Sequence, residues 1–376
     1  MKNLWVWIVI AFVAFIVIFS IIGSIIEHLR SKPVDEDATG PYAFLVIDAG
    51  RGSRYAKLSP GFPGKPFPNA DELTPAPSVP EPTLVTRELL GTVGNIRIWG
   101  PDPDVNTDKA NMAFDRIEDV GEDLSLYNPK SLLWDINNNA GGDPVRITDP
   151  MMTVLKRALL IADFTDGAFD PTIGPSVLIW RDAMMTLRLP PPDQVDAARA
   201  LVDYKLLKLD EAAHTARLAK PGMILDLSAI AKGYLADVGA QFLADKSVAA
   251  ATVELGGDIA AFGTKPDGSP FRIYIENPFF RDGDAVGFVE GKGNFCVVTS
   301  GNYRQSFTIN SERFSHFIDP KTGRAIAGAS SCTVTGPDAM TCDALATAIC
   351  VIGPERGFLL MRQINAWYKK HPPEKQ

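Results

Sequence analysis

Leu4 to Ile26 is an unbroken run of 23 residues that carries no charge and is almost wholly apolar. At about 1.5 Å per helical residue such a run crosses the ~30 Å hydrocarbon core of a bilayer with some tilt. It exceeds an ordinary signal-peptide core, and no clear Ala-x-Ala cleavage site follows it. No cysteine lies in it or just after it to receive a lipid. Residues 1–30 are therefore read as an uncleaved transmembrane anchor, with a cleaved signal as the rival reading. The body of the protein is then expected outside the cytoplasm, on the periplasmic side of the inner membrane. Charge does not fix the orientation, because Lys2 and the amino terminus face only Arg30 and Lys32 across the run.

The next segment, 31–83, shows little helical pattern and holds eight prolines between Pro60 and Pro82. Proline fixes φ and favours extended chain, so this segment is read as a stalk. One short piece, Tyr42 to Asp48, is strand-like and wants a partner. Residues 84–376 are expected to form the functional domain. With 37 basic against 45 acidic residues and no basic cluster, nucleic acid is excluded as a partner. The four histidines are scattered and there is no Cys-x-x-Cys pair, which excludes a structural zinc site.

Within the domain, a strand is expected over Gly91 to Trp99. Ala110, Ala113, Phe114, Ile117 and Val120 then recur at helical spacing. Further helices are expected after Asp149, over Pro192 to Asp203, after Asp226 and after Pro354, with another opened by Asp343. In the helix after Asp226, the stripe Ile230, Tyr234, Val238, Phe242 is expected to pack inward. A hairpin is expected over Lys205 to Leu218, and strands dominate from Ala251 to about Val334. Mixed helices and mostly antiparallel strands define an α+β fold.

Two stretches carry chemistry. In Thr341-Cys342-Asp343-Ala344-Leu345-Ala346-Thr347, Asp343 and Thr347 are four apart, on one helical face. Carboxylate, hydroxyl and backbone carbonyl oxygens are hard ligands that suit magnesium more than zinc. In Asp226-Leu227-Ser228-Ala229-Ile230-Ala231-Lys232, the lysine stands where it could counter an anion. Together they suggest a metal-bound, phosphate-bearing ligand, although either aspartate alone could be a helix cap. The stretch Gly167–Pro175 is either an open backbone for a ligand or a tight connection. Glu254–Ile259 reads as a hairpin around two glycines. Thr299–Arg304 offers hydroxyls to phosphate or is a polar turn. His316 is either a structural histidine or a general base. Cys296, Cys332, Cys342 and Cys350 are read as buried core thiols, with disulfides open to them outside the cytoplasm.

Set in order, the segments LLGT (Leu89 to Thr92), SLYNPKSLLWDIN, GAFDPTIGP, DLSAIAKGYLAD, VELGGDI, TSGNY, SHFIDPKTG and CDALATA resemble the FAD:protein FMN transferases, the ApbE-like flavin transferases. They span roughly residues 88–363. The resemblance implies an ApbE-like, T-fold-like domain. It implies an enzyme that cleaves the pyrophosphate of FAD and attaches FMN, through a phosphoester, to a Ser or Thr hydroxyl of a target flavoprotein, releasing AMP. The expected acceptor is a subunit of a membrane redox complex. By the family's pattern Asp343 and Thr347 ligate Mg2+ through side chains, and Ala229 and Ala346 through backbone carbonyls. Lys232 faces the phosphates. Asp226 and the run Ala168, Phe169, Asp170 hold the adenosine or ribityl part, and Tyr127 contacts the flavin nucleotide. Leu90 stands where the family usually has Met and lines an apolar wall. His316 helps deprotonate the acceptor hydroxyl. The other readings are a magnesium-dependent FAD pyrophosphatase and a non-catalytic extracytoplasmic FAD-binding protein.

Overall fold

The computed structural model describes residues 40–47, 56–66, 81–278, 285–302, 306–326 and 331–371. The apolar run Leu4–Ile26 lies outside them. Among the described residues no helix is long and apolar enough to cross a membrane.

In chain order, β1 (Ala43–Ile47), β2 (Ala56–Leu58) and β3 (Gly64–Pro66) precede the hairpin β4 (Thr83–Leu89) and β5 (Thr92–Ile98). Then come α1 (Pro103–Asp123), α2 (Leu132–Asn138), β6 (Val145–Arg146), α3 (Asp149–Phe164), α4 (Gly174–Thr186) and α5 (Pro192–Arg199). The hairpin β7 (Leu207–Asp210) and β8 (Thr215–Leu218) leads to α6 (Ala231–Asp245). Strands follow: β9 (Ala250–Leu255), β10 (Asp258–Gly263), β11 (Phe271–Glu276), β12 (Ala285–Gly291), β13 (Phe295–Gly301), β14 (Ser306–Ile309), β15 (Glu312–Ser315), β16 (Ile318–Asp319), β17 (Arg324–Ala325) and β18 (Ser331–Gly336). Helices α7 (Ala339–Ile352) and α8 (Pro354–Lys370) end the described chain.

An eight-stranded sheet, in the order β2-β1-β18-β13-β10-β9-β5-β4, forms the frame. Each neighbouring pair in it is antiparallel, so the α+β expectation holds. Helices α1, α6 and α7 cover one face, sharing a core with Phe114, Ile117, Leu235, Leu345, Val253 and Val334. The other face is covered beside β1 and β13 by β11 and β12, where Leu45, Ile47, Ile273, Ile275, Val289 and Val297 pack together. Successive strand side chains point to opposite faces. Covering both faces is therefore what buries every residue of β1: Phe44 and Val46 enter one core, Leu45 and Ile47 the other.

That placement corrects the stalk expected over 31–83. Where described, this segment supplies three strands, and β1 pairs with β18 from Ala43↔Thr335 to Ile47↔Ser331. A five-residue apolar run cannot stay in solvent when an apolar sheet edge is available. The inward stripe expected for α6 also differs. Leu235, Ala236, Gly239 and Leu243 are buried, whereas Tyr234, Val238 and Phe242 are only half-buried. The helix meets both the sheet and α7, and its packed face is turned toward the junction.

The start of α7 is a third correction. Asp338, not Asp343, is the N-cap, and its carboxylate accepts from Thr341 N–H at 2.8 Å. Asp237 of α6 accepts from Ala339 and Met340 N–H, both at 2.9 Å. The first N–H groups of a helix have no partner within it, and here two carboxylates supply one. Asp343 is thereby moved into the second turn, facing α6. The two helices approach so closely that a Cβ on Gly233 would lie 2.2 Å from the Ala339 carbonyl oxygen.

Candidate active site

Where α6, α7 and the ends of β10 and β13 converge, a cavity of about 460 Å3 opens toward α4 and the segment 316–320. It brings together Ala168, Phe169, Asp170, Asp226, Ala229, Lys232, His316, Asp343 and Thr347, nine of the residues singled out in the sequence. Segments more than 170 residues apart in the chain thus meet at one place.

Its buried end is a charge cluster. Asp343 is 2% exposed, and its Oδ2 accepts from Gly233 N–H at 3.1 Å. Lys232 pairs with Asp258, which is 1% exposed. Burial pushes the Asp258 carboxyl up, and the negative charge of Asp343 pushes it further, to about 8, against the opposing pull of Lys232. Burial raises Asp343 as well, while Lys232 and the Gly233 N–H lower it. Burial pulls the Lys232 ammonium down, but Asp343 and Asp258 outweigh this and hold it above its ordinary value. Two buried carboxylates therefore share one ammonium.

Toward the opening, the Thr347 hydroxyl lies 3.3 Å from the Ser300 hydroxyl, and both line the cavity with Thr299 and Ser228. Asp226 accepts from Ser228 N–H at 2.9 Å, and Ser228 and Ala229 both line the cavity. The β9–β10 turn passes through Gly256 and Gly257 with φ of +60° and +99°, values that glycine adopts without strain. Both glycines line the cavity.

Asp170 is placed there but its oxygens are occupied. Oδ1 accepts from Thr172 N–H at 2.8 Å and from the Thr172 hydroxyl at 2.7 Å, and Oδ2 accepts from Tyr204 N–H at 3.0 Å. This carboxylate braces the Gly167–Pro175 loop, so the loop is both a tight connection and a cavity wall. His316 is exposed at the cavity, its ring 4.1 Å from that of Phe317.

Three expected residues do not line the cavity. Leu90 is 44% exposed in the β4–β5 turn, with φ of +51°. Tyr127 is 59% exposed, with the Arg181 guanidinium 4.4 Å above its ring. Ala346 is fully buried among the core side chains of α7. Conversely, Asp258 was visible in the sequence only as part of a glycine hairpin. Its signal was a carboxylate directly after Gly256-Gly257, on a strand whose other residues, Ile259 to Gly263, carry no polar side chain.

A helix-backed antiparallel sheet with an acidic, hydroxyl-lined cleft and a lysine ammonium held by a buried carboxylate has the layout of a ligand-processing enzyme. This chain belongs to the ApbE family, whose family model matches residues 90–368. It is similar to the FAD:protein FMN transferase of Vibrio cholerae serotype O1, 34% identical over 273 residues, 71% of this chain and 80% of the relative. The Haemophilus influenzae FAD:protein FMN transferase is 35% identical over 255 residues, 66% of this chain and 74% of the relative. Among solved structures, the flavin transferase ApbE from Vibrio cholerae superposes with a TM-score of 0.65 at 32% identity, covering 74% of this chain and 90% of that one. The ApbE protein of Thermotoga maritima gives a TM-score of 0.68 at 28% identity, covering 76% and 92%.

Proposed function

We propose that this chain is an FAD:protein FMN transferase, cleaving the FAD pyrophosphate and joining FMN by a phosphoester to a Ser or Thr hydroxyl of a target flavoprotein, with AMP as the leaving product. The observation that carries this reading is the meeting of Lys232, Asp343 and Thr347 in one cavity, with the buried Asp258 paired to Lys232, in a chain that belongs to this family.

The donor set fits a magnesium ion. Asp343, the Thr347 hydroxyl and the Ala229 carbonyl are hard oxygens, and the two buried carboxylates exceed the one ammonium between them. Ala346, fully buried on α7, is the weaker member of the expected set. When bound there, the ion would offset negative charge on the pyrophosphate oxygens. Among described residues no group of three or more His, Cys, Asp or Glu side chains forms a metal cluster, so the set depends on hydroxyl and carbonyl oxygens.

The chain's own residues carry the remaining work. Lys232, held by Asp258, presents positive charge to the phosphates. The Asp226 carboxylate and the wall Ala168–Phe169 orient the nucleotide, and Asp170 keeps that wall in shape. His316 stands on the exposed side, where a protein hydroxyl arrives, and takes its proton as the oxygen attacks phosphorus. The apolar run Leu4–Ile26 serves as the anchor that keeps the domain on the periplasmic side of the membrane, beside membrane-bound acceptors.

Replacing Asp343 with Asn tests this reading. Both AMP release and acceptor labelling are expected to fall at least 100-fold in a variant that stays folded. Undiminished labelling would overturn the assignment of Asp343.

A further inference from the structure

The proposed transfer leaves the cysteines unused. Cys296 on β13 and Cys342 in the first turn of α7 are 1% and 0% exposed, and their Sγ atoms lie 3.0 Å apart. A disulfide spans about 2.05 Å, so a closure of roughly 1 Å would bond them. The approach is open because of a glycine: Gly336 pairs with Cys296 across β13 and β18, and a Cβ there would lie 2.8 Å from the Cys342 sulfur. Cys332 on β18 also meets Cys350, farther along α7, but Cys350 directs its thiol to the Ser300 carbonyl at 3.8 Å.

We propose that Cys296 and Cys342 are a cross-linking site, closing as a disulfide when the chain meets a disulfide-carrying oxidant. In that step one S–S bond forms between the two sulfurs and the oxidant's S–S bond breaks. Two electrons and both thiol protons pass to the oxidant, which leaves as two thiols. The bond ties α7 to β13, so Asp343, next to Cys342, is fixed relative to Thr299 and Ser300 at the other end of β13. Its basis is the sulfur geometry, independent of the reaction proposed above.

The test uses the full chain, warmed with diamide to just below its unfolding temperature so that buried thiols are reached. Diamide takes up the two hydrogens across its N=N bond. The protein is then denatured in an alkylating reagent and mapped by mass spectrometry. A linked peptide pair containing Cys296 and Cys342 is expected, together with a thermal midpoint on the order of 5 °C higher than that of the reduced chain. Cys332→Ala should retain both effects and Cys296→Ala should lose both. Full alkylation of Cys296 and Cys342 after diamide, or linkage only between Cys332 and Cys350, would overturn the proposal.

Discussion

Asp258 and His316 show how far single residues were legible. His316 stood out because a polar, loop-adjacent histidine is conspicuous, and the structure does place it at the cavity. Asp258 did not, since its role depends on Lys232, 26 residues earlier, and on Asp343, 85 residues later. Such pairing is created by the sheet and helix layers and is not written in local spacing. For His316→Ala, the rate of flavin transfer is expected to fall about 100-fold, within the usual range for a positioned acid–base group, with FAD affinity changed less than 3-fold. Equal losses in both, read by single-turnover kinetics and FAD titration, would make it a packing residue against Phe317. Asp258 gives a pH signature. With its carboxyl pushed to about 8, the folded, metal-free chain holds a proton that the unfolded chain releases near 4. Stability therefore falls as pH rises through the window from about 4 to about 8. In chelator, Asp258→Asn should reduce that slope in urea denaturation series and leave the share of Asp237, whose buried carboxyl is also pushed to about 8. An unchanged slope would mean that Asp258 is ionised throughout.

At the scale of elements, hydrophobic period placed most helices and the β7–β8 hairpin, but it misplaced the start of α7. Asp338 and Asp343 both sit near a strand-to-helix switch, and only the structure shows which one is the cap. Asp338 also accepts from Arg157 at 3.0 Å and from the Tyr42 hydroxyl at 2.6 Å, so it joins α3 and the residue before β1 to the helix that carries Asp343. Asp338→Ala removes the cap and the acceptor of the buried Tyr42 hydroxyl, while Arg157 keeps the Thr341 hydroxyl, and is expected to cost about 2 kcal/mol. Asp338→Asn should cost less than half as much, because an amide oxygen still caps. Equal losses in equilibrium denaturation would show that the charge, and not the cap, is what matters.

At the scale of the whole molecule, the sequence drew the functional domain from residue 84, and the sheet draws it earlier. The prolines that suggested a spacer begin after β2 and flank β3, which is too short to register as a pattern, whereas the strand-like piece Tyr42 to Asp48 holds β1, whose burial is a long-range effect of β18. Removing residues 1–83 would strip Tyr42, Phe44, Leu45, Val46 and Ile47 from two cores at once, each side chain worth about 1.5–3 kcal/mol. A chain beginning at residue 84 is expected to lose cooperative unfolding, and one beginning at residue 39 to keep it. A sharp calorimetric transition for the shorter chain would contradict that.

In the proposed reaction a protein hydroxyl, and not water, receives the flavin phosphate. The direct measurement mixes the full chain with FAD, magnesium and a flavoprotein domain from a membrane redox complex. It follows AMP and the intact mass of the acceptor together. One FMN on a Ser or Thr is expected for each AMP released, with both lost in chelator. AMP accumulating in the absence of any acceptor mass shift would contradict it and leave a pyrophosphatase in its place.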